Sequence, residues 1–305
     1  MRSRRRFFLL TALVLLAVLC WYLFLKGYNY KIRFKTPHAP GTVYSSLYNL
    51  QTWNTEDFDS VALANSRPFE ELTHHLFIND SSFSINWKIK RLDDSLTQVT
   101  ALAKDLKNPF IQNLAVPFQK NAFVNRSIRT TQDQMNGLFV HQKDYKVQLS
   151  GNEAVTIPSQ FCAYVTLESK IYEKGNNMIS NIGLIMNYIK SNEIPLTGDP
   201  FLQVSSWNPR EETIVYDFCF PIKKPDLLPE TKTINFKHTE EFKGLKAIFN
   251  GNYRLTDRAW YELIDHAQSL GVDFEMRPFE IYRNDPHSGG NELEWVAEVY
   301  LPVKE

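Results

Sequence analysis

"DFCFPI" occupies residues 217–222 and "EVYLPV" residues 298–303. Each runs from an acid through aromatic or aliphatic residues to a proline and a branched aliphatic. The likeness extends backward from both. "FCAYVTLES", from Phe161, reads as a strand. "NNMISNIGLIMNYIKSN" places Met178, Ile179, Ile182, Ile185, Met186 and Ile189 on one helical stripe. "PFLQVSSWNP" is a strand stopped by Asn208-Pro209, and "ETIVYDFCFPI" a strand stopped by Pro221. From Phe242 the order returns. "FKGLKAIFNGNY" is a strand. "LTDRAWYELIDHAQSLGV" is a helix with Thr256 or Asp257 as cap and Gly271 at its end. "PFEIYRNDP", stopped by Asp285-Pro286, and "NELEWVAEVYLPV" complete the set. Four matched elements with shared local strings predict two βαββ units, at about residues 160–222 and 242–303. The polar, proline-bearing "KKPDLLPETKT" joins them.

The opposite end of the chain bears on the compartment. "MRSRRRFFLLTALVLLAVLCWYLFLKG" begins with Arg2, Arg4, Arg5 and Arg6, then carries no charge from Phe7 to Leu25. That run reaches about 28 Å as a helix, close to the hydrocarbon thickness of a bilayer. Trp21 and Tyr22 lie where amphipathic rings favour the interface. A signal peptide is the rival reading, but the run is longer than a signal core and no small-x-small site follows. A lipoprotein site at Cys20 would need small residues where Val18 and Leu19 stand. Residues 1–26 are therefore expected to be an uncleaved single-pass anchor in a bacterial inner membrane. The arginines are expected in the cytosol and the rest of the chain in the periplasm, although Lys31, Arg33 and Lys35 lie just beyond the span.

The 34 basic and 34 acidic side chains balance, so no overall field draws the chain to nucleic acid. No helix-turn-helix pattern is present either, and no nucleic-acid partner is expected. Cys20, Cys162 and Cys219 form no CxxC pair, and His74-His75, being adjacent, do not share a strand face. Neither a metal nor a cofactor is expected. Cys162 and Cys219 are read as two buried thiols, with a bridge as the alternative. Nucleotide, zinc-protease and nucleophile-elbow motifs are absent.

Between these ends, "GTVYSSLYNLQTWN" has Val43, Leu47, Leu50 and Trp53 near helical spacing. In "SSFSINWKIKRLDD", Phe83, Ile85, Trp87 and Ile89 alternate with polar residues, the pattern of a half-buried antiparallel strand. Asp93-Asp94 turn into "LTQVTALAKD", and residues 110–140 read as helix interrupted by Pro117. The early helix, the "FSINWKI" and "TQVTAL" strand pair and the closing helix resemble the START-like, or polyketide-cyclase-like (SRPBCC-type), helix-grip fold. That resemblance implies an apolar ligand held under the long helix. It spans most of residues 27–150, with the domain boundary near Ser150.

"FKGLKAIFNGNYRLTDRAWYEL", "FEIYRNDP" and "EWVAEVYLPV" resemble the GyrI-like, or effector-binding, domain, over residues 155–305. The resemblance implies two βαββ repeats that enclose a groove for small amphipathic, often cationic, molecules. It also implies a glutamate near the end of the last strand, ringed by aromatics, as the cation's partner. Glu298 is that glutamate, Asp217 its counterpart in the first repeat and Glu294 a second acid on the same expected strand face. Tyr282, Tyr253 and Trp260 are candidate walls, with Tyr216 and Trp207 as first-repeat equivalents; Trp260 is also a core candidate. A carboxylate walled by rings suits a cation, each π face adding about 0.5–2 kcal/mol. The expected architecture is thus α+β: a membrane helix, a START-like domain and a pseudo-twofold duplicated domain. The expected function is membrane-anchored sequestration or sensing of an apolar or cationic ligand. An enzyme is the less favoured alternative: a hydrolase or cyclase using Glu298 as general acid or base, which needs a raised pKa. A third reading is an adaptor whose grooves are filled by its own side chains.

Overall fold

In the computed structural model, residues 2–49, 58–79, 81–93, 96–118, 121–140, 142–284 and 289–304 are described. Leu50, Trp53, Asp94, Asp285 and Pro286 lie outside them. The chain divides into two units. One comprises Met1–His38 with Ser46–Leu138, the other Ala39–Ser45 with Phe139–Glu305.

The first unit opens with α1 (Arg2–Cys20), which continues through a wider π-type turn, Trp21–Leu25. The stretch Arg4–Leu25 has a mean hydropathy of 2.6 and none of it is buried. Among the described residues this is one helix long and apolar enough to cross a membrane. β1 (Tyr30–Thr36) follows; α2 (Pro40–Tyr48), on which Val43 and Leu47 are buried, belongs to the second unit as far as Ser45 and to the first from Ser46. β2 (Ser60–Arg67), β3 (Glu71–Ile78), β4 (Ser81–Asp93) and β5 (Leu96–Asp105) are antiparallel, in the order β1-β5-β4-β3-β2. As the alternation requires, Phe83, Ile85, Trp87 and Ile89 are buried. Proline splits the following helix into α3 (Pro109–Ala115) and α4 (Ala122–Val140). α4 meets the sheet through an edge-on contact of Phe123 with Phe83, 6.1 Å between ring centroids. Its buried stripe also holds Ser127 and Thr131, whose hydroxyls donate back to the carbonyls of Phe123 and Ser127, both at 2.8 Å.

His74 lies on the same sheet face, because it pairs with Ile85 between the Leu72–Trp87 and Leu76–Phe83 pairs. It is fully buried. Burial, aided by His75, pushes its pKa down from 6.5 to about 3.

In the second unit β6 (Tyr145–Leu149) and β7 (Val155–Ile157) line one edge of β12 (Phe242–Gly251) in succession. Residues 145–149, ahead of the boundary expected near Ser150, hydrogen-bond into the second sheet, with Tyr145 stacked on Phe249 at 5.9 Å. Gly251, at φ 147°, lets β12 turn against Tyr145, where a Cβ would lie 2.8 Å from the tyrosine's own. The first βαββ order is β8 (Phe161–Lys170), α5 (Lys174–Ser191), β9 (Phe201–Asn208) and β10 (Thr213–Pro221). After edge strand β11 (Asn235–His238) come β12, α6 (Asp257–Leu270), β13 (Phe279–Tyr282) and β14 (Val296–Pro302). The sheet order β11-β8-β10-β9-β13-β14-β12-β6 is mirrored about the β9–β13 pairing.

The twin prolines now have a geometric account. Each is the last residue of its strand, and its carbonyl accepts from the segment that follows the helix: Thr197 N to Pro221 O at 3.0 Å, Glu275 N to Pro302 O at 2.9 Å. The next residue, Ile222 or Val303, donates to the start of the first strand, at Phe161 O or Lys243 O, both at 3.0 Å. The two also form equivalent bridges, Leu196 with Ile222 and Phe274 with Val303. A proline needs no ladder donor at that point, and the branched residue seals the strand end.

Because the folded pKa of His74 is depressed, the unfolded chain binds the extra proton. Stability is therefore full above about pH 6.5 and is lost as pH falls towards 3. His74→Leu is expected to flatten that acid loss. Hydrogen exchange of the β3–β4 amides across this range measures it; an unchanged pH slope would refute the assignment.

Candidate functional site

Strand register decides which side chains meet. Ile281 pairs with Glu298 and Phe279 with Tyr300, while Glu280 pairs with Val299 and Tyr282 with Ala297. Paired residues share a face. α6 packs on β12 and β14, and α5 on β8. Ala297, Val299 and Leu301 are buried beneath them, so Glu280 and Tyr282 face the helices and Glu298 faces away.

On the helix face, Lys174 enters from the first turn of α5. Both Lys174 and Glu280 are fully buried, with Nζ 2.6 Å from Glu280 Oε1. Lys174 also donates to the Thr256 hydroxyl, which donates to Glu280 Oε2 at 2.8 Å. Tyr282 donates its hydroxyl proton to the same oxygen. The ammonium lies 4.6 Å from the centroid of the Trp260 ring. Tyr216 OH donates to the backbone carbonyl of Lys174 at 3.3 Å. Tyr253 packs on Tyr282 with centroids 4.8 Å apart, and Trp207 on Trp260 at 5.3 Å. Burial, then the Glu280 charge, drives the Tyr282 phenol well up. Burial lifts Tyr216 and Tyr253 to about 12. The arrangement is an aromatic-walled carboxylate holding a cation, and the cation is the chain's own lysine.

Thr256 is one of the two caps, with Asp257, that the sequence offers for α6. Its backbone is already helical and its side chain makes no cap bond. Asn252 caps instead, accepting from Arg254 N at 3.0 Å ahead of the 3₁₀ turn Tyr253–Leu255. The threonine hydroxyl is thereby released to the ion pair.

The other face carries the acids named from sequence. Glu298 accepts from Arg283 at 2.6 Å and Tyr300 at 2.7 Å, and lies 2.9 Å from Lys246 Nζ. Burial pushes its pKa up, but the three hydrogen bonds and the Arg283 charge outweigh it and hold the carboxyl at about 2. That overturns the raised pKa required of an acid–base Glu298. Asp217 repeats the pattern: it accepts from Thr166 at 2.7 Å and from Lys237, which also reaches Gln203 at 2.7 Å. Glu294 is corrected. It lies in an exposed 3₁₀ turn, Glu292–Glu294, ahead of β14, because Asn291 accepts from Leu293 N and caps that turn. A cavity of about 230 Å³ borders this face, lined by Ile157, Gln160, Asp199, Phe201, Arg283 and Tyr300 among others. Cys162 and Cys219 are buried free thiols on the same face, and Cys219 Sγ donates to the Asp217 carbonyl at 3.6 Å.

The structure thus brings Tyr282, Tyr253, Trp260, Tyr216 and Trp207 together and separates them from Glu298, Glu294 and Asp217. Lys174 and Glu280 were not singled out from sequence. Two signals pointed to them. Glu280 sits between Phe279 and Ile281, in phase with Tyr282, and Lys174 precedes Met178 by four, at the head of the apolar stripe of α5.

Residues 153–304 match the family model described as a GyrI-like small molecule binding domain. The C-terminal half of this chain is a GyrI-like domain. Among solved structures, the EcmrR C-terminal domain is similar at 18% identity and a TM-score of 0.43, over 53% of this chain and 98% of that one. SAV2435 bound to tetraphenylphosphonium is similar at 10% identity and 0.34, over 52% and 93%. A hydrolase from Listeria innocua is similar at 14% and 0.32, over 50% and 92%. No curated protein matches.

Removing one partner of a buried ion pair leaves an uncompensated charge and costs about 3–5 kcal/mol. Lys174→Met and Glu280→Gln are each expected to destabilise the GyrI-like domain by that order, and the double variant to recover most of the loss. Urea denaturation measures it; additive losses would show the pair uncoupled. For Glu298, the depressed pKa contributes stability that is complete above about pH 4.5 and vanishes as pH falls towards 2. The urea midpoint of Glu298→Gln is expected to lie below that of wild type at neutral pH and to converge on it in acid. A gap that stays constant with pH would contradict this.

Proposed function

We propose that the GyrI-like domain binds a small amphipathic cation at Glu280, with Lys174 as the resident cation that the ligand displaces. The observation that carries this is the enclosure of the Lys174–Glu280 pair by Trp260, Tyr282, Tyr253 and Tyr216. Such a wall supplies π faces and a low dielectric, which strengthen the attraction of any fixed positive charge for the carboxylate. A ligand must bind better than the lysine it replaces, so apparent affinity falls with the fraction of open state. The two matched βαββ halves are read as a duplication, with the site where they meet.

The remaining parts fit a membrane-anchored binding protein. α1 is read as an uncleaved anchor with cytosolic arginines, and the soluble portion as periplasmic. Residues 27–150, with their strand, helix, antiparallel strands and closing helix, are read as START-like. No nucleic-acid partner is part of this proposal.

A second reading is favoured by the complete burial of Lys174: the site is permanently filled and the domain acts as an adaptor. Titration with tetraphenylphosphonium, a bulky apolar cation, separates the two. Binding is expected in the wild type, about tenfold or more tighter in Lys174→Ala, and lost in Glu280→Gln. Equal responses in all three, or no binding even in Lys174→Ala, would favour the adaptor.

A further inference from the structure

The apolar span does not end freely. The Leu23 carbonyl accepts from Asn113 Nδ2 at 3.0 Å, which fixes the last turn of the span to α3. Buried Asn29 completes the joint. It donates to Asn113 Oδ1 and to the Pro109 carbonyl, both at 2.7 Å, and accepts from Asp105 N at 2.8 Å. Its own N–H donates to the Ala103 carbonyl at 2.8 Å. Phe24 stacks on Phe110 with centroids 5.2 Å apart.

This joint presents a second apolar surface beside the span. Phe110, Ile111 and Leu114 are exposed on α3, Ile111 by 59%, and Phe118 just beyond it by 87%. Phe110, Ile111 and Leu114 share one face of the helix, and Phe118 follows in the turn that ends it. A stripe of this size exposed to water is costly in a soluble domain. Here it is continuous with Phe24 and Leu25, which are equally exposed. Lys26, at the end of the span, lies 4.5 Å from the ring centroids of both Tyr22 and Tyr28. Aromatic rings and a lysine at one level mark the boundary between hydrocarbon and headgroups.

We propose that α3 is a membrane-interface helix: Phe110, Ile111, Leu114 and Phe118 insert into the same lipid leaflet from which α1 emerges. The occupant of the stripe is the bilayer, because the hydrogen bonds at Asn29 and Asn113 hold α3 against the last turn of the span. The first unit is thereby clamped to the surface rather than hung on a free stalk. This rests on the reading of α1 as an anchor.

The test uses the full chain in phosphatidylcholine liposomes. An environment-sensitive fluorophore is placed at Ile111→Cys or Phe118→Cys in a Cys20→Ser background, at native Cys20 as the span reporter, and at Leu227→Cys as an exposed control. Labels at 111 and 118 are expected to emit to the blue, to be quenched by nitroxide-bearing lipids and to resist aqueous iodide. The label at 227 is expected to show the reverse. Iodide quenching at 111 and 118 with lipid quenching at Cys20 would overturn the inference and leave the anchor standing. Shielding of 111 and 118 from both quenchers would overturn it in favour of a protein covering. Absence of lipid quenching at Cys20 would remove the anchor and the inference together.

Discussion

A lysine and a glutamate with no exposed side-chain surface are the constraint around which the C-terminal unit is arranged. Two charges in a low dielectric cost several kcal/mol each to desolvate, and only close approach with further hydrogen bonds offsets that. The structure meets the requirement from separate parts of the chain. Lys174 comes from the first βαββ unit, Glu280, Tyr282, Trp260 and Thr256 from the second. The ion pair therefore welds the two halves on the helix face. On the sheet, the join of β9 to β13 is the short register Phe279–Gln203 to Ile281–Phe201. A short central pairing suffices because charge and aromatic packing bind the halves above it.

The second face shows how similar groups acquire a different part. Glu298 and Asp217 occupy equivalent places four residues ahead of the twin prolines, and each is faced by a lysine, Lys246 on the adjacent strand β12 and Lys237 on β11, which lies across β8. Both acids remain partly accessible and are already bound by cations and hydroxyls. Such a group shapes the mouth of the adjoining cavity through its ion pairs. It offers little uncompensated charge to a ligand. Glu280 differs by one step of strand parity: moving one residue along a strand exchanges the solvent side for the helix side.

That parity explains what could be read from sequence. Period-two alternation in β4 and the helical stripes of α4, α5 and α6 are local, and each fixes an element and its buried face. The repeated order of elements, with its twin proline endings, fixes the second unit's organisation. The rings around the site were also visible as rings. The choice of acid was not, because β14 reads correctly as two faces while nothing within it says which acid lies among the aromatics. That follows from the register with β13, a strand of four residues whose "FEIY" has no alternation of polarity. Lys174 was hidden for a related reason: a lysine at a helix start is ordinarily solvated, and only the three-dimensional approach of Glu280 makes it internal. The sheet to which β6 belongs could not be read locally, because its partner lies about a hundred residues ahead and antiparallel pairing over that distance leaves no local mark.

The position of Lys174 also bears on whether it is a permanent strut. It is the first residue of α5, at the positive end of the helix dipole, where a cation is disfavoured by about 0.3–1 kcal/mol. The neighbouring carboxylate must overcome that as well as desolvation. An ammonium chosen only for stability would be better placed at a helix C-terminus, or replaced with its partner by apolar residues of like volume. The tyrosine hydroxyl on Glu280 and the tryptophan face on Lys174 belong to a different logic. They give the carboxylate a hydrogen-bond donor and line its approach with π surface, and on the proposed reading both would serve an incoming cation free of the helix dipole better than they serve the lysine. A resident charge held at a disadvantage, in a wall suited to a less encumbered one, is what the proposed displacement of Lys174 by a ligand requires.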